Sequence, residues 1–224
     1  MSKHLDVEME KLKSKLLSLT GMVEEGLEKA MRSFETRDKS LAKEAFEQDH
    51  LIDELEVEIE EDCLKIFALH QPVAIDLRYL VGALKMNNDL ERIGDLSVNI
   101  AERGYYLTKR PEIKAPFDFK TMASKTHSML KRAIDALINM DDEAAQQIIL
   151  DDQEVDAINK EMYTMVFKRI KESPEDVECL IQYLAISRCL ERIADYTTNI
   201  AEDVIYMVNG KIVRHDPDFQ GWDS

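Results

Sequence analysis

Asn87 to Arg103 reads NNDLERIGDLSVNIAER, and Ser187 to Asp203, one hundred residues later, reads SRCLERIADYTTNIAED. Nine of these 17 aligned positions are identical: Leu, Glu, Arg, Ile, Asp, Asn, Ile, Ala and Glu. The recurrence reaches well beyond the segment. Pro72 and Pro174 are 102 apart, Asp38 and Asp141 are 103 apart, and Asp49-x-x-x-Asp53 lies 103 before Asp152-x-x-x-Asp156. A chain that repeats at such a period is built from two copies of one supersecondary unit. The repeat leaves open whether an internal two-fold or a side-by-side stacking relates the copies.

The helix breakers say what each unit is. The 224 residues hold only 7 Gly and 5 Pro, too few for the many turns of a β fold. The prolines stand at 72, 111, 116, 174 and 217, with long unbroken stretches between them. Leu5, Met9, Leu12, Leu16, Leu19, Val23, Ala30 and Phe34 alternate steps of four and three, which is one apolar seam along a helix. Gly21 and Gly26 each weaken that helix by roughly 1 kcal/mol. Asp38-Lys-Ser40 is a break with a good N-cap, and a second seam follows through Leu41, Ala45, Ile52, Leu55, Ile59 and Ile66. Pro72 fits the first turn of a third helix running to about Leu107. In the second half Asp118 can cap a fourth helix, Asp141 a fifth, and Ser173-Pro174 opens a sixth that ends at Gly210. Helices of about 30 to 36 residues would span about 45–55 Å. The expected fold is all-α: two tandem three-helix bundles of long, spectrin-like antiparallel helices. The expected boundaries are residues 1–107 and 118–210 for the two units, 108–117 for a linker and 211–224 for a tail that contains Trp222.

Charge removes several function classes. Lys and Arg total 29 against 45 Asp and Glu, a formal net charge of −16. Such a surface repels phosphate backbones, so nucleic acid is not an expected partner. The longest stretch without a formal charge is Ile66 to Ile75, about half of the roughly 20 residues that a membrane helix needs. The charged N-terminal region shows no apolar core of a signal peptide. Cys63, Cys179 and Cys189 form no CxxC pair and are odd in number, which favours a reducing, cytosolic setting and small core residues.

The chemistry sits in carboxylate stripes. Glu91 and Asp95 share one helix face, continued by Asn99 and Glu102, and Glu191, Asp195, Asn199 and Glu202 repeat the pattern. Asp49, Asp53, Glu56 and Glu60 form a stripe on the second helix, but on the fifth only Asp152 and Asp156 remain, followed by Asn159 and Tyr163. If neighbouring helices face these stripes toward each other, at least four carboxylates crowd together in each unit. Like charges then require a cation, a proton or an intervening Arg or Lys. All-oxygen ligation suits hard cations such as Mg²⁺, Ca²⁺, Mn²⁺ or iron, and carboxylates can bridge several ions. Ordinary ion pairing competes with this reading, because Arg92 and Arg192 could reach Asp95 and Asp195 at i,i+3. The paired recurrence of asparagine and second glutamate tips the balance toward metal. A polar residue in a seam can also simply fix register, which is the plainer account of Asn99 and Asn199.

A di-iron oxidase is the natural rival, but it needs Glu-x-x-His on two helices. Only Glu47-x-x-His50 fits, and Leu150 to Gln153 offers neither residue. The five histidines are scattered, and no P-loop, dinucleotide glycine motif or nucleophile elbow is present. A metal-storing or metal-dependent redox bundle stays as the alternative function, and a ligand-free coiled-coil scaffold as the plainest one.

The stretch ALHQPVAIDLRYLVGALKMNNDLERIGDLSVNIAE, from Ala68 to Glu102, resembles the signature region of the PhoU family. LERIADYTTNIAEDVIYMVNG, from Leu190 to Gly210, resembles the C-terminal repeat of that family, and the similarity spans Leu5 to Gly210. The resemblance implies a pair of three-helix bundles and a non-enzymatic, cytoplasmic negative regulator of the phosphate-starvation response. Such a protein is thought to bridge the ATPase subunit of the high-affinity phosphate transporter and a membrane-bound sensor histidine kinase, and it often dimerises. The resemblance further implies multinuclear metal clusters of iron, zinc, magnesium or a similar ion. Their ligands would be Asp49, Asp53, Glu91, Asp95, Asp152, Asp156, Glu191 and Asp195, with Glu102 and Glu202 as further ligands. The loss of acids at Asn159 and Tyr163 argues against equal loading of the two units.

Overall fold

A computed structural model describes residues 3–113, 115 and 118–213. Pro116, Pro217 and Trp222 lie outside those residues, as does most of the expected tail. Six α-helices carry the fold: α1 Lys3–Thr36, α2 Lys39–His70, α3 Ala74–Leu107, α4 Phe119–Asn139, α5 Asp142–Glu172 and α6 Val177–Asn209.

The helix starts follow the capping chemistry. Asp38 accepts a hydrogen bond from Ser40 N, Asp118 from Thr121 N and Asp141 from Ala144 N, so each carboxylate satisfies a free amide of a first turn. Gly210 stops α6 in the left-handed conformation, φ 69°, which costs a glycine little. Two boundaries differ from the sequence expectation. Val73, not Pro72, is the N-cap of α3, and a 3₁₀ turn at Pro174–Asp176 precedes α6. The fourth helix, with 21 residues, is shorter than its counterpart α1 with 34, so the repeat is imperfect there.

The seams become the core. Leu12, Leu16, Leu19, Val23 and Leu27 of α1, and Ile52, Ile59 and Ile66 of α2, are essentially inaccessible to solvent. Each such side chain contributes roughly 1.5–3 kcal/mol by burial, and truncation of one to alanine would cost about 2–5 kcal/mol. α1, α2 and α3 pack mutually, as do α4, α5 and α6. The halves are joined by a long α3–α6 contact and a smaller one between α1 and α4, and one apolar core runs through both.

Contacts along the α3–α6 seam decide how the two copies are related. Lys85 pairs with Asp203 at 2.9 Å, Arg103 donates to Gln182 at 3.4 Å, and the Tyr106 hydroxyl lies 3.4 Å from Glu178. Numbers rise on α3 as they fall on α6, so the two helices are antiparallel. The repeated segments 87–103 and 187–203 thus run past each other in opposite directions. The copies are therefore related by an approximate two-fold axis perpendicular to the central helices.

Candidate functional site

Asp152 and Asp156 are one turn apart on α5, and Asp195 faces them from α6. One carboxylate oxygen from each lies within 4.8 Å of the other two. Glu191 stands one turn before Asp195 on the same face. The electrostatic consequence is large. Burial, then the charges of Asp156, Asp195 and Glu191, push the Asp152 carboxyl up to about 7 from its ordinary 3.8. Asp195 is raised by burial and by Asp156, although solvent reaches it and Arg192 and Arg188 oppose the shift. Glu191 is raised by burial, Asp195 and Asp156, against the same two arginines. Oδ1 of Asp152 is buried and accepts no hydrogen bond among the described residues.

The first half brings acids of α2 and α3 together at the matching place, though among the described residues only the α5–α6 acids form a close group of three oxygens. Burial, then Asp53 and Asp95, push Asp49 up to about 6, with His50 opposing. Glu91 is raised by burial and Asp95, with Arg92 opposing and Asp53 and Glu56 adding. Glu56 is raised by burial, Glu60 and Asp53. Oδ1 of Asp49 is buried and accepts no hydrogen bond among the described residues. Glycine at position 94 permits this approach: a Cβ there would sit 3.2 Å from Asp49 Oδ1 and 3.3 Å from Ile52.

These features fit a cation. The clustered acids offer carboxylate oxygens, with His50 beside the first corner; at least one carboxylate in each has an orphaned buried oxygen, and crowding resists their common ionisation. A hard divalent ion would remove the repulsion and satisfy the orphaned oxygens. The expected arginine ion pairs do not form among the described residues: Arg92 lies 3.6 Å from Glu91, and Arg192 donates to the Tyr196 hydroxyl at 3.2 Å. Glu102 and Glu202 lie elsewhere on their helices. Neither is among the charges that shift the clustered acids, and Glu202 lines a small cleft with Lys85, Asp203 and Tyr206.

The two corners differ, as the departures at Asn159 and Tyr163 suggest. Arg188 on α6, influenced by Tyr163, brings a positive charge that opposes the shifts of Glu191 and Asp195. The matching positions of the first half are Glu60 and Asn88. Arg188 and Gly94 went unmarked in the sequence reading. Comparison of Asn88 with Arg188 across the repeat was the signal available for the first, and for the second nothing short of helix packing would have revealed its role.

Comparisons with known proteins agree with this architecture. The sequence profile of the PhoU domain matches residues 16–104 and 119–204. The phosphate-specific transport system accessory protein PhoU homolog 1 of Thermotoga maritima is 37% identical over 210 residues, covering 93% of this chain and 90% of its own. A PhoU homolog of Pseudomonas aeruginosa is 33% identical over 216 residues, covering 96% and 89%. The crystal structure of PhoU from P. aeruginosa superimposes with a TM-score of 0.88 at 32% identity, over 92% of this chain and 99% of that one. The phosphate transport system regulatory protein PhoU from Streptococcus pneumoniae gives 0.82 at 28% identity, over 93% and 99%.

Proposed function

The chain belongs to the PhoU family, and from that membership we propose that it is a phosphate-transport accessory protein that acts by binding rather than by catalysis. In this reading it works in the cytoplasm, where it couples the ATPase subunit of the phosphate transporter to a sensor histidine kinase and holds the kinase off while phosphate is plentiful. Among the described residues no helix is long and apolar enough to cross a membrane, so contact with the transporter would be peripheral. An adaptor of this kind shifts the kinase only through its differential affinity for the kinase's two states. A homodimer is the expected assembly.

The observation that carries the proposal is similarity over nearly the whole chain, both repeats included, to accessory proteins of phosphate-specific transport. Metal ions are part of the proposal. The corner of Asp152, Asp156, Glu191 and Asp195, and that of Asp49, Asp53, Glu91 and Asp95, would each hold a hard cation that lets neighbouring helices keep their carboxylates ionised. Raised proton affinities and orphaned buried oxygens support that role.

Deletion of the gene should raise phosphate-starvation transcripts in phosphate-rich medium, and the intact gene supplied in trans should restore repression. Unchanged transcripts after deletion would overturn the adaptor reading. Elemental analysis of chelator-free protein tests the metals: less than about one ion per chain would remove them from the proposal. The rival redox bundle predicts oxygen-dependent turnover by the metal-loaded protein.

A further inference from the structure

Around the α2–α3 turn the molecule shows exposed apolar side chains that the described residues of the matching α5–α6 turn lack. The α2–α3 turn, the α4–α5 turn and the segment after α6 meet there. Gly210 packs within about van der Waals contact of Arg78, with 3.5 Å from a Cβ on Gly210 to the arginine's Cδ. Asn209 donates to Asp142 at 2.6 Å. Around this junction Leu69, Val73, Ile75, Leu77 and Ile138 are 41% to 71% exposed. Apolar groups gathered this way on a surface mark an interaction site.

The internal repeat supplies a control. The matching turn between α5 and α6 reads Glu172-Ser173-Pro174-Glu175-Asp176, and it exposes no large apolar side chain among the described residues. The backbones differ as well. Gln71 at φ 46° is the left-handed C-cap of α2, an ending that Met140 repeats for α4, whereas Ala74 at φ 49° is a left-handed non-glycine residue at the start of a helix. No described residue of the second turn has positive φ. Conformations of that kind persist where the surroundings impose them, and they gather at functional sites. Apolar exposure and backbone strain therefore coincide at one turn and are both missing from its counterpart.

Charge indicates what covers the surface. Asp76, Asp141, Asp142 and Glu143 border it, against Arg78 and Lys211, with His70 beside them, on a chain of net charge −16. Anionic lipid headgroups are repelled by that border, whereas basic side chains around an apolar face complement it. We propose that this end of the molecule docks a protein that presents an apolar face bordered by lysine or arginine. The proposal deepens the adaptor reading and rests on it: this end is the surface through which the chain meets the transporter ATPase or the kinase.

The test measures binding of the purified full chain to two purified probes, the transporter ATPase subunit and the cytoplasmic part of the kinase. The variants are Val73→Asp with Ile75→Asp at this end, and Phe167→Asp with Ile181→Asp as a control, two exposed apolar sites on α5 and α6. Both pairs are exposed, and equal melting temperatures establish that the fold is intact. If the aspartates lower it, serines at the same positions are read instead. For at least one probe we expect Kd to rise by about tenfold or more in the first variant and to stay within about threefold in the control. Added salt should weaken wild-type binding. Wild-type binding that the first variant retains in full would overturn the docking surface and leave the adaptor reading standing. Failure of the wild type to bind either probe would overturn both. Co-sedimentation with phosphatidylglycerol vesicles, lost in the first variant while protein binding is unchanged, would make the occupant lipid and overturn the proposal.

Discussion

Ser187 on α6 donates its hydroxyl hydrogen to Oδ1 of Asn159 on α5 across 2.6 Å, and both side chains are buried. At the matching place in the first half, Asn87 of α3 donates to the backbone carbonyl of Glu56 on α2 at 2.8 Å and to its Oε1 at 3.1 Å. Each half thus has a polar link between its second and third helices, about one turn along from the acidic corner, with different residues filling the two roles. Ser187→Ala would leave the Asn159 oxygen buried without this donor, at a cost of about 1–3 kcal/mol. For a chain of this size that lowers the melting temperature by about 3–9 °C, readable by circular dichroism.

Gly104 and Gly21 should respond to alanine in opposite directions. A Cβ at Gly104 would lie 3.1 Å from the Phe34 Cα and 3.3 Å from its backbone nitrogen, so α1 would have to move away from α3. Backbone cannot yield as a flexible side chain does, and Gly104→Ala should destabilise by about 1–2 kcal/mol even after its gain in helix propensity. Nothing lies within 4 Å of a Cβ at Gly21, inside α1. Gly21→Ala should therefore stabilise by about 0.5–1 kcal/mol. Chemical denaturation of the two variants side by side checks both signs.

Asp203 is buried in the seam between the halves and meets the half-exposed Lys85 at 2.9 Å. Lys85→Met removes a cation while a carboxylate stays in the interior. We expect a loss of about 1–3 kcal/mol, and a smaller loss for Asp203→Asn, which removes the charge itself. Equal losses in the two variants would mean that packing, and not charge, holds this part of the seam.

Much of the fold was legible because helices advertise themselves locally. The seam from Leu5 to Val23, the caps Asp38, Asp118 and Asp141, and the stop at Gly210 all act within a few residues of themselves. The approximate two-fold was not legible, since it depends on α3 and α6 meeting in antiparallel register. The same limit applied at the acidic corners. Periodicity put Asp152 and Asp156 on one face, but only helix packing brings Asp195 within 4.8 Å of them. Glu102 and Glu202 share the stripe by sequence, two turns beyond Asp95 and Asp195, and that axial distance carries them away from the crowded acids. Lys85 and Asp203 are separated by more than a hundred residues and carry no local signal at all.

Stability should depend on pH in a direction that bound cations reverse. Asp152 at about 7 and Asp49 at about 6 hold protons in the folded state that the unfolded chain releases near 3.8. Below about pH 4 both are protonated in either state and neither costs anything. Above about pH 4 the unfolded chain gives up these protons while the folded state keeps them until about 6 and about 7, so metal-free protein loses stability between these limits and levels off above them. Glu8, Asp38 and Asp118, held below their ordinary range by their partners, act in the opposite sense but only as pH falls below about 4.5. With chelator present, the melting temperature should fall by about 3–8 °C from pH 5 to pH 8, and Asp152→Asn should flatten much of the slope. A hard divalent cation binds only the ionised carboxylates, so with millimolar Mn²⁺ or Mg²⁺ the melting temperature should rise over the same interval. Identical slopes with chelator and with cation would mean that the corners bind no ion, and that their crowding is relieved by protons alone.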